Sequence, residues 1–482
     1  MAALPMALLQ LSVLLLVVVT TIAPVAWALS SPATTTVPKF VILGGTGKIG
    51  TSVANHLLNR SPTCEVVLVG RRGGDAAIQE IVDGTKNSDT RRRQRISFQQ
   101  VDDIWDANCL APLLQSSHGV SAVIHTAGPY LDETPTVLEA VIAARIPVYV
   151  DVSDPLPFLQ ASLDQLEAAR TSQTSALCAA GAFPGMSNVL AMEAAAAAKK
   201  NADETIQDVR FNYFTKGLGG SGTINLYITN IGFGEPMIQH DQGSRRALTE
   251  LSGKLLGQVD FFLPPNNDMI SDDNNQQAQQ RVGRQQVFAW PFPEAATVAS
   301  ELQIKGSSSA AMGTAPDLWN VMLGLLVNIV PRPWWRSKAF SKFMADFSQP
   351  LVLLTDAILR QTTTSDADVG ETHAMRIDVT TTTTKQEMTS IVQAHESFRQ
   401  CVGQSCAEFC LDLLEHPSPG VFLPEQRYRD ARDRRRIIAK LTSTPGTFCY
   451  TGPVKLSSSS SSTFPTDIDQ VVAQAKQEQV EL

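Results

Sequence analysis

The chain has 482 residues, of which 43% are hydrophobic and 18% are charged, so its composition is that of a globular protein and excludes a largely disordered one. This length favours two domains over a single core. The net charge of −8 at pH 7 argues against nucleic acid as a partner, and the basic cluster at residues 91–95 is interpreted as a solvated loop.

The first 38 residues are predicted to be a targeting region. No charged side chain precedes Lys39, and residues 6–29 are almost continuously apolar and include Ala26-Trp27-Ala28, which predicts a signal peptide over residues 1–28. A retained membrane anchor is the alternative, since the run is long enough to span a bilayer. Residues 29–38 resemble a short transit segment of a two-part plastid presequence. We therefore expect the plastid stroma, with the secretory pathway or an endomembrane anchor as the alternative.

The segment after this region joins an apolar strand to a glycine loop with the spacing Gly45-x-Gly47-x-x-Gly50. In such loops the first glycine permits a tight turn, the second lets backbone amides approach a pyrophosphate, and the third lets the helix pack closely. An apolar helical face and a second strand at residues 65–70 follow, so a dinucleotide site is favoured over an ordinary turn. The cofactor-binding residues predicted here are Gly45, Thr46, Gly47, Lys48 and Ile49.

The end of the second strand indicates which dinucleotide binds. NAD sites usually carry an acidic residue there, which binds the ribose 2′-hydroxyl, whereas this chain has Gly70-Arg71-Arg72-Gly73. Guanidinium groups suit a 2′-phosphate, so Arg71 and Arg72 predict NADP rather than NAD. A solvated arginine pair is the alternative.

Strands and helices continue to alternate up to about residue 186, which predicts an α/β fold with a Rossmann-type doubly wound parallel sheet. The further strands of this sheet are predicted at residues 95–101, 120–125, 147–151 and 176–181. Its helices include residues 134–144 and 158–169.

A second α/β domain is predicted beyond residue 186. Its strand-like stretches lie at residues 208–215, 222–229 and 371–380, and residues 264–281 are interpreted as a mobile insertion. The apolar run at residues 318–330 is too short to span a membrane, and a buried helix that leads into a basic aromatic loop at 331–336 is favoured over a membrane dip. The predicted domain limits are 39–186, 187–400, 401–434 and a low-complexity tail at 435–482.

The seven cysteines lack paired spacing, which argues against a disulfide framework and for a reducing compartment. Cys401, Cys406 and Cys410 form their one cluster, without a C-x-x-C pair. We interpret these three as small core residues, so no metal site is predicted.

Several segments share the order found in a known family. They are Gly44–Gly50, His125–Tyr130, Tyr149–Ser153, Gly181–Asn188, Tyr213–Gly222 and Pro419–Glu425. Together they resemble the saccharopine dehydrogenase-like family over about residues 39–434, and most closely its less characterised bacterial and plastid-type members. The segments Ala127–Tyr130 and Phe183–Asn188 are more specific than the glycine loop, which many Rossmann proteins share.

The resemblance implies a second α/β domain that is built on a mixed sheet and carries substrate and dimer contacts, and therefore a homodimer. It also implies a helical segment over residues 401–434 that returns to the first domain. Reversible reductive amination is the family reaction class: nicotinamide reduces an imine formed from a keto acid and an amine. By the same pattern, Asp102 or Asp103 approaches adenine. The residues expected beneath the nicotinamide-side ribose and phosphates are Thr126, Ala127, Gly128 and Pro129.

Imine reduction needs little from a protein beyond aligned carbons and a proton source. Tyr130 and Asp151 lie at predicted carboxyl ends of strands and are the catalytic candidates. Ser153, Asn188 and Lys216 are the candidates for substrate binding. Each has a structural alternative, in which Tyr130 packs on the cofactor, Asp151 and Asn188 cap helices, and Lys216 is solvated.

The resulting prediction is an NADP-dependent oxidoreductase that acts on a small imine or amino-acid-type substrate. A short-chain dehydrogenase is disfavoured, because none of the six tyrosines is followed four residues later by lysine. A non-catalytic NADP-binding redox sensor or scaffold is the alternative. A membrane partner is expected only if the N-terminal segment is retained.

Overall fold

Two seven-stranded sheets form the framework of the chain. This computed structural model describes residues 37–83, 90–115, 119–201, 203–216, 223–248, 252–263, 273–315, 317–362, 371–383 and 387–457. The predictions made for residues 1–36, for the glycine-rich turn at 217–222, for 264–272 and for 458–482 lie outside these ranges.

Strands and helices alternate along most of the described chain. The strands are β1 (Lys39–Leu43), β2 (Glu65–Gly70), β3 (Ile96–Gln100), β4 (Ala122–His125), β5 (Val148–Asp151), β6 (Ser175–Leu177), β7 (Ile206–Lys216), β8 (Met237–Asp241), β9 (Ser244–Leu248), β10 (Leu255–Asp260), β11 (Arg284–Ala289), β12 (Ser308–Ala315), β13 (His373–Thr381), β14 (Glu387–His395), β15 (Gly420–Phe422) and β16 (Thr447–Ser457). The helices are α1 (Lys48–Arg60), α2 (Gly74–Asp83), α3 (Thr90–Gln94), α4 (Ala107–Leu110), α5 (Thr136–Ala143), α6 (Leu156–Leu163), α7 (Leu166–Ser172), α8 (Met186–Ala198), α9 (Thr223–Gly234), α10 (Asp273–Arg281), α11 (Glu294–Leu302), α12 (Asp317–Ile329), α13 (Arg332–Trp335), α14 (Lys338–Thr362), α15 (Phe398–Glu415), α16 (Pro424–Arg427) and α17 (Ala431–Thr442).

The first sheet has the order β15-β6-β5-β4-β1-β2-β3, and all its strands are parallel. Its interior strand β1 is buried on both faces: Phe40 and Ile42 belong to one core cluster, and Val41 and Leu43 belong to another. Burial on both faces is typical of a parallel sheet covered by helices on each side. The predicted Rossmann-type sheet is therefore confirmed.

The second sheet has the order β10-β11-β12-β7-β13-β14-β16. Strands β12 and β7 are parallel, whereas the other neighbours are antiparallel, so the predicted mixed sheet is also confirmed. Helix α15 returns to the first sheet and packs on α1, where the Ser52 hydroxyl donates to the carbonyl oxygen of Gln400 at 3.3 Å.

Three predicted segments of the second domain differ from the structure. Residues 223–229 of the strand expected at 222–229 lie in helix α9, because a short apolar run cannot be assigned to strand or helix from periodicity alone. Residues 273–281 of the expected mobile insertion form helix α10. Residues 435–457 of the expected tail belong to α17 and β16, and β16 pairs with β14 and buries Phe448 and Leu456.

The helix predicted at residues 318–330 is present as α12, but it is buried on one side only. Trp319 and Val327 face the core, whereas Val321, Leu325 and Ile329 are exposed. In the ranges that the structure describes, none of the helices has both the length and the apolar character needed to cross a bilayer.

Candidate functional site

The glycine loop connects β1 to α1 and lies against the loop that follows β4. Gly44 has a left-handed φ of +74°, and a Cβ at Gly44 would lie 2.9 Å from the Cβ of Ala127. The amide of Gly45 donates to one carbonyl oxygen of β1 and one of β2, each at 3.1 Å. A Cβ at Gly50 would lie 2.4 Å from the carbonyl oxygen of Gly44. Sequence reasoning assigned the turn to Gly45, but the left-handed backbone belongs to Gly44.

The loop ends at the amino terminus of α1, where backbone N–H groups can bind an anion. Helix α1 begins at Lys48 with Gly47 as its N-cap, and no side chain caps it. Gly47 and Lys48 are exposed, and a Cβ at Gly47 would meet only the Gly44 carbonyl oxygen, at 3.2 Å. Ile49 instead packs against the core. The loop therefore fits a pyrophosphate, because Gly44 and Gly50 pack closely against backbone atoms whereas Gly47 and Lys48 are exposed.

The glycine loop also touches the end of β2, where the arginine pair begins. The Thr46 hydroxyl oxygen lies 2.8 Å from the position that a Cβ at Gly70 would take. Arg71 and Arg72 follow immediately and are exposed, and neither forms a hydrogen bond or ion pair within the described part of the chain. Asp102 is exposed just after β3, and its carboxylate accepts a hydrogen bond from the side-chain amide of Gln100 at 3.4 Å. Predicted residues after β1, β2 and β3 thus lie at one edge of the sheet.

The loop after β4 is hydrogen-bonded to the end of β1. The Thr126 amide and hydroxyl both donate to the carbonyl oxygen of Leu43, at 2.8 Å and 2.9 Å. Ala127 packs on Gly44, and Gly128 and Pro129 follow half-buried. The structure therefore brings the glycine loop and the Thr126–Pro129 loop together, as the sequence predicts for a cofactor crevice.

Tyr130 points into the protein from this loop. Its hydroxyl donates to the carbonyl oxygen of His125 at 2.7 Å, and its ring packs edge-on against Trp105, His125 and Phe158. Burial, with the nearby charge of Asp151, raises the pKa of Tyr130 well above 10. The Tyr130 hydroxyl is therefore protonated, and its proton is already donated to the His125 carbonyl oxygen.

Asp151 is buried and accepts several hydrogen bonds. The Ser153 hydroxyl donates to it at 2.6 Å, the Tyr149 hydroxyl at 3.0 Å and the Ala179 amide at 3.0 Å. Burial raises the pKa of Asp151, although these hydrogen bonds oppose the shift. His125 is also buried, and burial lowers its pKa to about 3, so the ring is neutral. Asp151 and Ser153 therefore form one internal network.

Asn188 belongs to a different buried network. Its side-chain oxygen accepts from the Gly185 amide at 2.9 Å, and its amide nitrogen donates to Glu425 at 2.8 Å. The neighbouring Ser187 hydroxyl donates to Glu294 at 3.4 Å, and the Tyr213 hydroxyl makes a short hydrogen bond to the same carboxyl. Asn188 thus caps the start of α8 and ties it to residues far away in sequence.

Lys216 is the last residue of β7 and is half-buried. Its backbone amide donates to the carbonyl oxygen of Thr372 at 2.6 Å, and no described contact joins it to the glycine loop. The structure therefore groups the predicted cofactor residues, but it does not bring Asn188 or Lys216 to them.

Asp154 is a residue that sequence reasoning missed. It lies three residues after β5 and is partly exposed. Its charge contributes to the raised pKa of Tyr130, so the two side chains are near each other. Burial raises the pKa of Asp154 from 3.8 to about 6. A carboxyl at a strand end with such a pKa suits proton transfer near neutral pH, but only the structure reveals its burial.

The sheet order, the glycine loop at a helix start and the paired strand-end loops define a dinucleotide-binding Rossmann domain. Residues 40–181 match the family model for the saccharopine dehydrogenase NADP binding domain. Over these residues the chain is therefore similar to the NADP-binding domain of saccharopine dehydrogenases, which supports the resemblance for this part of the chain and the choice of NADP. The match also supports the coarser functional prediction, an NADP-dependent oxidoreductase.

Solved structures share parts of this fold at low similarity. Gre2 of Candida albicans in complex with NADPH is 20% identical, over 24% of this chain and 36% of that chain, with a TM-score of 0.20. The yeast methylglyoxal/isovaleraldehyde reductase Gre2 with NADPH is 15% identical, over 29% and 53%, with a TM-score of 0.23. A metagenomic short-chain oxidoreductase with NADP is 16% identical, over 29% and 80%, with a TM-score of 0.24.

The chain spans only about a third to about half of the length of the first solved structures that it matches. TM-scores this low carry no argument about activity. No curated protein matches the chain. The family model is therefore the comparison that bears on the cofactor.

Proposed function

We propose that the protein reduces a carbon–nitrogen double bond in a small imine or amino-acid-type substrate. The observation that carries this proposal is the contact between the glycine loop and the Thr126–Pro129 loop, within a domain of the saccharopine dehydrogenase type. The N–H groups at the start of α1 would hold the pyrophosphate, and Arg71 with Arg72 would hold the 2′-phosphate. NADPH supplies hydride to carbon when it is bound.

The substrate nitrogen must also receive a proton, and Asp154 is the group that we assign to this step. This residue is partly exposed after β5 and near Tyr130, and burial raises its pKa to about 6. Tyr130 and Asp151 have a positioning role in this proposal, because their polar atoms are engaged in internal hydrogen bonds. They hold the loop after β4 and the end of β5 in place beside the crevice.

A panel of keto acid and amine pairs with NADPH tests the function, with oxidation of the nicotinamide as the readout. With a substrate from this panel, Asp154→Asn should lower kcat about a hundredfold and remove the limb of the pH profile near 6, since general acid catalysis contributes on this scale. Asp164→Asn, at an exposed aspartate after α6, is the matched control. A variant of Asp154 with an unchanged pH profile would exclude this carboxyl as the proton donor.

A non-catalytic NADP-binding role is the second candidate. The observation that favours it is the internal engagement of both predicted catalytic residues, Tyr130 and Asp151. The same panel separates the two roles. Tight NADPH binding without turnover of any pair would favour a redox-sensing or scaffold protein over an enzyme.

Import into the plastid is a proposal that rests on the sequence of residues 1–38. A fluorescent fusion of residues 1–39 should accumulate in the plastid. Retention of the fusion at the endoplasmic reticulum would overturn the proposal and favour an endomembrane anchor.

A further inference from the structure

Large apolar side chains are exposed on α12, α13 and α14, three consecutive helices whose inner sides share one apolar cluster. We call these exposed residues together the apolar face. Each of its members is between 58% and 67% exposed: Val321, Leu325, Ile329, Trp334, Phe343, Phe347, Leu353 and Leu354. The spacing of four residues between Val321, Leu325 and Ile329, and again between Phe343 and Phe347, places them in rows along their helices.

Helix α14 has apolar side chains on its outward side as well as on its inward side. The inward side buries Ser341, Ala345 and Val352 and packs Phe340 and Met344 on the core. The outward side carries Phe343 and Phe347, whose rings stack at 6.2 Å. Exposure of aromatic side chains is unfavourable in water, so the apolar face is suited to an apolar environment.

The apolar face is large for a surface patch. Its three aromatic side chains carry about 150–250 Å² each, so at about 60% exposure they alone expose roughly 360 Å², and five aliphatic side chains add to this. The largest patch of a typical soluble monomer is about 300–600 Å² and is often functional.

The composition of the apolar face and its border points to lipid. Trp334 directly follows the exposed Pro333 in the short helix α13, which lies between α12 and α14 in the chain. Exposed Arg336, Lys338 and Lys342 border the face; Lys338 and Lys342 form ion pairs with Asp132 and Asp346, and Arg336 donates to the Gly234 carbonyl oxygen. Lysine is depleted from protein–protein interfaces, whereas tryptophan beside basic residues is typical of membrane interfaces.

We propose that the apolar face docks on the phospholipid–water interface of a membrane, where Trp334, Phe343 and Phe347 enter the headgroup and acyl-chain boundary. The border of the face lies near the cofactor site, because Lys338 forms an ion pair with Asp132, two residues after Tyr130. Docking would therefore place the opening of the crevice close to the membrane surface. The proposal does not depend on the reaction that the protein catalyses.

Vesicle flotation tests this docking. The chain from Lys39 onward forms a compact unit of its own, and its use excludes lipid binding by residues 6–29. We expect it to float with phosphatidylcholine vesicles. Phe343→Gln together with Phe347→Gln should lower binding by at least about tenfold, since two aromatic side chains no longer enter the lipid. Leu255→Gln, at an exposed leucine on β10, should bind like the wild type.

A second readout requires no disruptive change. Brominated lipid should quench part of the tryptophan fluorescence, and Trp334→Phe should remove that part. Wild-type protein that does not float, or a double variant that floats equally well, would overturn the proposal. If instead the wild type is a dimer that does not bind vesicles, and the double variant is a monomer, the face is covered by a second copy and the proposal also fails.

Discussion

Glu294 provides a quantitative test of the buried network near α8. Burial raises the pKa of this carboxyl from 4.5 to about 7, against the hydrogen bonds from Tyr213 and Ser187 that lower it. A carboxyl with a raised pKa holds its proton more tightly in the folded state. Its stabilising contribution is therefore complete below about pH 4.5 and is lost as the pH rises through about 7. At about 1.4 kcal/mol for each pH unit, this loss amounts to about 3 kcal/mol.

The substitution Glu294→Gln removes this titration while retaining an oxygen that can accept from Tyr213. Urea titrations at about pH 5 and about pH 8 give the decrease in the free energy of unfolding between these two pH values. We expect this decrease to be about 3 kcal/mol smaller in the variant than in the wild type. Glu80→Gln, at an exposed glutamate of α2, should retain the wild-type pH dependence. If the wild type and Glu294→Gln lose the same stability over this range, the reasoning about burial is refuted.

Three further substitutions test the site. Arg71→Ala should weaken NADPH binding about tenfold more than NADH binding in fluorescence titrations, because a charge-assisted contact to the 2′-phosphate is lost. An unchanged ratio would contradict this role, and Arg93→Ala is the control. Gly50→Ala should destabilise the fold by about 1–3 kcal/mol in thermal unfolding and weaken NADPH binding, because its Cβ would collide with the loop backbone. If Gly50→Ala binds NADPH with wild-type affinity, the close packing of Gly50 against the loop backbone is excluded. Asn188→Ala should cost about 1–3 kcal/mol of stability, because it leaves Glu425 without this partner. A raised KM with unchanged stability would instead support substrate binding.

The sequence predicts the first sheet and the cofactor loops well, because their signals are local. The glycine spacing, the arginine pair after β2 and the short apolar strands each lie within a few residues, and the rules for parallel sheets place them together. The assignment of the turn to Gly45 rather than Gly44 is a small error of the same kind, since the motif gives the spacing and the backbone φ decides which glycine turns.

The burial and hydrogen-bond partners of the candidate side chains cannot be predicted in this way. Tyr130 turns inward with a φ of 63°, and its hydroxyl is engaged within its own loop. The partner of Asn188 is Glu425, which is 237 residues away in sequence. Asp154 has an ordinary sequence context, and its raised pKa follows from burial in the folded chain. Such features depend on tertiary packing, which periodicity and motifs do not encode.

The seventh strand of the first sheet has a consequence for how the protein is made. Strand β15 is parallel to β6 and covers its edge, yet it is formed by residues 420–422. During synthesis on the ribosome, β6 is complete long before β15 emerges, so the N–H and C=O groups on the edge of β6 away from β5 stay unpaired in the interval. An open strand edge can pair with other chains. We therefore expect the first sheet to expose this edge until residues 420–422 have been made.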